Sequence, residues 1–224
     1  MFVIGLLLCK ANAANAYGLC GPTVFSLTDA TYSGSETFPI VINALAGSSA
    51  VNTLTIKPAA SNNATITGAS TTSLLKLNGA DYIIIDGSNS GGSSQNLLFN
   101  NTSATGTTAD LWIGSASAAD GATYNIVKNC KFSGVFQTTI AGIIAGSGTT
   151  PGNAGEAQNS NNTIQNNSFI STQNGMYVNG AVANDPNWLI TGNTFGSTVV
   201  GEKLNFRGLI LLNVQNFAIT GNTI

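Results

Sequence analysis

The chain has 224 residues, with 7 Lys+Arg against 9 Asp+Glu, no His, 43% hydrophobic residues and only 7% charged residues. That balance excludes a basic nucleic-acid footprint, and the missing His excludes a Ser-His-Asp triad, a His metal ligand and a His general base. Disorder is excluded too, because it goes with high charge and few apolar residues, whereas Val, Ile, Leu and Phe recur here throughout.

Solubility then rests on Asn, Ser, Thr and Gln. Helix formers such as Glu and Lys are scarce and turn residues abound, so the composition favours many short strands. The chain opens on the apolar run Met1-Phe2-Val3-Ile4-Gly5-Leu6-Leu7-Leu8-Cys9, followed by Ala11-Asn12-Ala13 and Ala14-Asn15-Ala16. An apolar core of this length with small-residue cleavage patterns reads as a secretory signal over 1–16, cut after Ala13 or Ala16. It is too short to span a bilayer, and no Lys or Arg precedes it. The alternative reading is a buried N-terminal strand. Export places the protein outside the cell or on its outer surface, with no membrane insertion.

Beyond the leader, Cys20 and Cys130 are far apart and in no metal-like spacing. A disulfide is open to an exported chain, but Cys130 reads better as a small core residue. Residues 17–60 are expected to form an N-terminal cap and the first strands, among them Phe38–Ile42 and Thr53–Pro58. Residues 61–224 carry the repeats, starting with strands over Ala64–Gly68 and Tyr82–Gly87.

Two interleaved series of segments dominate the rest. The first aligns without gaps as YNIVKNCKF from Tyr124, NNTIQNNSF from Asn161, NWLITGNTF from Asn187 and NFAITGNTI from Asn216. Its aliphatic column is Val127, Ile164, Ile190, Ile219. Its bulky column is Phe132, Phe169, Phe195, Ile224, and between them stand Cys130, Asn167, Asn193, Asn222. The second series is Leu75-Lys76-Leu77, Leu111-Trp112-Ile113, Ile143-Ile144-Ala145, Met176-Tyr177-Val178 and Leu209-Ile210-Leu211. Its starts, 75, 111, 143, 176 and 209, differ by 36, 32, 33 and 33.

Two series with one period predict stacked coils that bury like residues on like. The recurring Asn fits: its amide donates and accepts, so stacked copies can form a ladder, and it tolerates the left-handed corner conformation. The expected fold is an all-β, right-handed parallel β-helix solenoid with an N-terminal cap, truncated at the C-terminus because Ile224 falls inside a repeat. Further domains of the same longer chain are expected. Surplus residues should loop out at 146–161, 180–187 and 196–206. An antiparallel sandwich does not predict matched columns at a long fixed period.

The segments Thr53–Pro58, Leu77-Asn78-Gly79-Ala80-Asp81-Tyr82 with Ile85-Asp86-Gly87, and the repeated Ile-Thr-Gly-Asn-Thr resemble exported β-helix proteins of Bacteroidetes-type bacteria, which are similar to the pectin-lyase-like superfold. The resemblance covers roughly residues 22–224 and rests on repeat style, so it speaks to fold more than to activity. It implies a long surface or secreted protein, with polysaccharide lyases, hydrolases and adhesins as functional models.

Catalytic candidates are few. The only Arg is Arg207, near Glu202 and Lys203, and Asp185 is the nearest scattered Asp. The chemical reading is a base beside a carboxylate, as a lyase or hydrolase would need. The plain reading is a solvated ion pair on a loop. Asp86-Gly87-Ser88-Asn89-Ser90 leaves calcium open as a cofactor, but lacks the full oxygen-ligand spacing and reads as a turn. No other metal or cofactor is expected.

The middle residues of the second series point outward: Lys76, Trp112, Ile144, Tyr177, Ile210. Trp112 and Tyr177, two rungs and about 10 Å apart, could stack on sugar rings, with Trp188 beside them. The competing account is that a loop or another domain covers this apolar column. The sequence reading is therefore a non-catalytic, adhesin-like module that contacts polysaccharide. A lyase or hydrolase comes second and a structural spacer third.

Overall fold

A computed structural model describes residues 6–224. The first five residues of the expected leader lie outside the described residues. Helix α1 (Leu6–Tyr17) opens the fold, and the chain then coils with three strands per rung. Rung one is β1 (Thr23–Leu27), β2 (Thr31–Tyr32) and β3 (Ile40–Asn43); rung two is β4 (Leu54–Pro58), β5 (Ala64–Gly68) and β6 (Leu75–Asn78). Rung three is β7 (Ile83–Asp86), β8 (Leu97–Asn101) and β9 (Thr108–Gly114); rung four is β10 (Ile126–Lys128), β11 (Cys130–Gly134) and β12 (Thr139–Gly146). Rung five is β13 (Thr163–Gln165), β14 (Ser168–Ile170) and β15 (Asn174–Asn179). Rung six is β16 (Asp185–Pro186), β17 (Leu189–Thr191), β18 (Thr194–Phe195) and β19 (Arg207–Leu212), and β20 (Val214–Gln215) and β21 (Ala218–Thr220) follow.

The strands stack into three parallel sheets of seven, six and six strands: β1-β4-β7-β10-β13-β17-β21, β2-β5-β8-β11-β14-β18 and β3-β6-β9-β12-β15-β19. β16 and β20 pair as a small fourth sheet at one corner. The fold is a parallel β-solenoid of about six turns.

Register follows the sequence columns. Val127 lies opposite Ile164, Ile164 opposite Ile190, and Ile190 opposite Ile219. Leu75, Leu111, Ile143, Met176 and Leu209 are successive partners in the third sheet. Inside the coil Phe99, Phe132, Phe169 and Phe195 stack with centroid separations of 5.3, 5.1 and 4.9 Å and nearly parallel planes. Burying side chains of this size stabilises by about 1.5–3 kcal/mol each before entropy is counted.

The expected Asn ladder is present. Asn167, Asn193 and Asn222 each accept, through Oδ1, the backbone N–H of the preceding rung's column residue (Cys130, Asn167 and Asn193) at 2.8–2.9 Å. Each Nδ2 donates to a preceding-rung carbonyl, of Val127, Ile164 and Ile190. Asn125 and Asn162 form a second ladder of the same kind. These amides satisfy buried backbone groups that the tight corners leave outside the sheet ladders. The corners take the left-handed conformation at Asn129, Asn166, Gly192 and Gly221 (φ 59, 51, 65 and 62°).

Cys20 is exposed, Cys130 is fully buried in the ladder column, and the two do not pair. Among the described residues no helix is long and apolar enough to cross a membrane.

Helix α1 lies over the first rung and buries Leu7, Ala11 and Ala14. Asn15 behaves as a piece of strand there: its Nδ2 donates to Val41 O at 2.8 Å and its Oδ1 accepts the Asn43 N–H at 2.9 Å. Edge groups of β3 are thereby satisfied, as an open sheet edge requires. Cleavage after Ala13 or Ala16 would remove most of this cover. The chain beginning at residue 17 is expected to melt roughly 5 °C below the full chain, since losing the Leu7 burial alone costs about 2 kcal/mol. Calorimetry of the two forms measures this, and equal melting temperatures would exclude a capping role for α1.

Candidate functional site

The outward column of the third sheet has the predicted register: Lys76 opposite Trp112, Trp112 opposite Ile144, Ile144 opposite Tyr177. It does not form an exposed platform. Residues 147–156 fold back across it and leave Trp112 only 4% exposed and Ile144 fully buried, with Tyr177 half-buried beside them. Trp112 Nε1–H donates to Ser147 O at 2.8 Å. Lys76 Nζ lies 4.3 Å from the Trp112 ring centroid and donates to Gly148 O at 2.6 Å.

Glu156 closes the flap. Its carboxylate accepts from Ser115 Oγ, Ser147 Oγ, Gly148 N–H and Thr149 Oγ1. Its pKa is lowered to about 2: partial burial raises it, but the hydroxyl and N–H donors outweigh that. Covering the column is the expected fate of a large apolar strip.

Trp188 is also inside, 1% exposed, one residue before β17. Asn162 and Asn125 occupy the matching places before β13 and β10, so Trp188 fills the core where the second Asn ladder ends. The exposed Trp112–Tyr177–Trp188 surface is therefore corrected to one covered strip and one core residue.

The catalytic candidates do not come together. Arg207 is exposed at the start of β19, opposite Asn174. Glu202 sits in a short 3-10 turn and accepts from Ser197 Oγ at 2.9 Å. The expected Arg207–Glu202 ion pair is absent: among the described residues the single ion pair is Lys128–Asp86 at 3.3 Å. Asp185 lies beyond the far end of the third sheet, where Gly180 and Ala181 follow β15. It is fully buried, its Oδ1 accepts the Ala181 N–H at 2.9 Å, and Oδ2 has no partner in the protein. Burial lifts its pKa to about 6, against the N–H groups of Ala181 and Asn159 that favour the charged form.

Asp86 is also committed. Its Oδ1 accepts from Ser88 N–H and Asn129 Nδ2, and Oδ2 faces Lys128. Its segment is a turn held to the next rung.

Arg207 and Lys203 line a cavity of about 390 Å³ whose walls include neither Glu202 nor Asp185, and a second concave site lies at the corner joining the third sheet to the first. Loops from three successive rungs, near 117–124, 155–161 and 181–184, enclose a groove of about 790 Å³. Rung spacing of about 4.8 Å makes such a groove roughly 10 Å long. Asp81 and Asp120 stand on one wall. Asp81 Oδ1 accepts the Thr123 N–H at 2.7 Å and the Thr123 hydroxyl. Asp120 lies against Gly79: a Cβ there would come within 2.7 Å of Asp120 Oδ2, and φ at Gly79 is +65°, so only glycine fits. Asp120 has a raised pKa, first from burial and second from the nearby Asp81 charge.

Tyr124, 47% exposed, edges this groove and stacks on Tyr82 with centroids 5.0 Å apart and planes 6° from parallel. Both are left-handed, φ 57 and 58°. The same corner in later rungs is left-handed at Asn161, Asn187 and Asn216, and Asn is among the cheapest non-glycine residues there. Two tyrosines in its place hold a strained conformation, of the sort that gathers at functional sites, in exchange for paired rings, one of which lines the groove.

The sequence contained part of this signal. Tyr124 heads the first repeat where the other three copies have Asn. Asp120 fits no column, so its approach to Asp81, 39 positions earlier, needed the fold to be seen. No protein-family model matches this sequence, and a search of the curated proteins finds no significant relative.

Proposed function

We propose that this chain is a non-catalytic, adhesin-like module of a secreted or cell-surface β-helix protein of the pectin-lyase-like superfold, and that its corner groove contacts polysaccharide. The supporting observation is the strained Tyr82–Tyr124 pair at the edge of a polar groove that crosses three rungs. Carboxylates and amides on the walls suit a ligand rich in hydroxyls, and aromatic edges suit the apolar parts of sugar rings. Export through residues 1–16 belongs to the same proposal. No cofactor is needed for it.

A hydrolase is the second reading, favoured by one observation: Asp120, whose pKa is raised, stands near Asp81 in the groove, and a pair of carboxyls is what a glycoside hydrolase uses. A glycan array with product detection separates these readings. The full chain is expected to bind at least one glycan without releasing product, and Tyr124→Ala is expected to lose roughly tenfold in affinity, the scale of one aromatic contact. Reducing ends released by the full chain and abolished in Asp120→Asn would establish the hydrolase. Silence on every glycan by a folded chain would leave a structural spacer.

A further inference from the structure

Resting on the glycan reading of the corner groove, we infer that its ligand is an amino sugar polymer with free ammonium groups, not a polyuronate. Three carboxylates line this groove, Asp81, Asp120 and Glu156, and no Lys or Arg does. Among the described residues, the single ion pair of the protein lies elsewhere, between Lys128 and Asp86. The Asp81 charge is close enough to oppose the ionisation of Asp120, and among the described residues no cation pairs with either. A concave wall of unpaired like charge concentrates the opposite charge in a ligand.

A uronate chain would bring a carboxylate per sugar into this field and find no cation to meet it. Like charges facing across an interface are a means of rejecting a partner. A chain of glucosamine units brings an ammonium and several hydroxyl donors per sugar. The groove offers the matching acceptors: the free capacity of the Asp81 and Asp120 carboxylates and the Tyr124 hydroxyl. Glu156 adds little, because its oxygens are engaged by the flap and the Lys76 charge acts on it. The roughly 10 Å length spans about two sugar units.

Titration calorimetry of the full chain against β-1,4-linked glucosamine tetramer, its N-acetylated form, a galacturonate tetramer and a tetralysine peptide tests this. The glucosamine tetramer is expected to bind at least tenfold more tightly than the acetylated one, with the galacturonate undetected. Raising salt from 50 to 500 mM should erase most of that preference. Asp120→Asn, whose melting is checked alongside, should lose the preference while retaining the acetylated ligand.

Equal or tighter binding of the acetylated or galacturonate tetramer overturns the charge assignment and leaves the glycan reading standing. Tetralysine binding as tightly as the glucosamine tetramer overturns the assignment to a sugar. If no oligosaccharide binds, the glycan reading itself fails and this inference with it.

Discussion

Replacing Phe169 with alanine is expected to destabilise the protein by roughly 3–5 kcal/mol, the range for deleting a buried ring. Phe169 is fully buried and central in the column, with Phe132 at 5.1 Å on one side and Phe195 at 4.9 Å on the other. Its ring also takes up the space over Gly142, where a Cβ would come within 2.7 Å of it. The backbone on both sides is held by sheet pairing, so the cavity has little means of collapsing. Phe195→Ala should cost less, because Phe195 has Phe169 as its one stacking partner and is 5% exposed. In a solenoid each rung touches only its neighbours, so a lesion in rung five should also broaden the transition. Calorimetry of both variants checks the order and the breadth. An unchanged, equally sharp transition for Phe169→Ala would mean that the stack is dispensable.

The second large effect is a stability maximum on the acid side of neutrality. Asp110 and Asp185 are both fully buried, and burial raises both pKa values, that of Asp110 strongly and that of Asp185 to about 6. A carboxyl with a raised folded-state pKa binds its proton more tightly when folded. Its contribution is complete below the unfolded value near 3.8 and is lost as pH rises through the folded value. For Asp185 the loss falls between about pH 4 and 6 and amounts to about 3 kcal/mol.

Glu156 acts in the opposite direction. Its folded pKa is lowered to about 2, so its contribution holds above the unfolded value near 4.5 and fades as pH falls below it. Melting temperature against pH should therefore peak at roughly pH 4–5. Asp185→Asn should make the limb between pH 4 and 6 shallower, the remaining slope belonging to Asp110, and leave the acid limb in place. A melting temperature that climbs steadily from pH 4 to 8 would contradict the burial argument.

Much of the coil was legible because stacking repeats its demands. Residues that must pack on their own kind every rung, such as Val127 on Ile164 or Phe132 on Phe169, leave columns that alignment finds. Strand β8 escaped because its rung is irregular. Leu97 and Phe99 stand in register with Cys130 and Phe132, but residues 87–96 separate β7 from β8 where a single residue, Asn129, separates β10 from β11. A gap-free repeat cannot show that.

Helix α1 escaped for another reason. An apolar stretch followed by small residues satisfies a leader and a cap equally, and the packing of Leu7, Ala11 and Asn15 on the first rung is not written in its pattern. The site was least legible. The outward column was correctly aligned, but sequence has no measure of what a ten-residue flap will cover. The groove is assembled from insertions, which by nature fall outside the repeat.

The Asn ladders lean mainly one way. Asn167, Asn193 and Asn222, and likewise Asn125 and Asn162, bond backbone groups of the rung made before their own, and Asn167 and Asn193 also donate Nδ2 forward to the next Asn at 3.0 and 2.9 Å. A chain delivered N-terminus first, by a ribosome or through an export pore, therefore meets each backbone partner already in place. Each new rung is laid like a course of bricks on the one below, and its Asn closes the N–H that the course below left open.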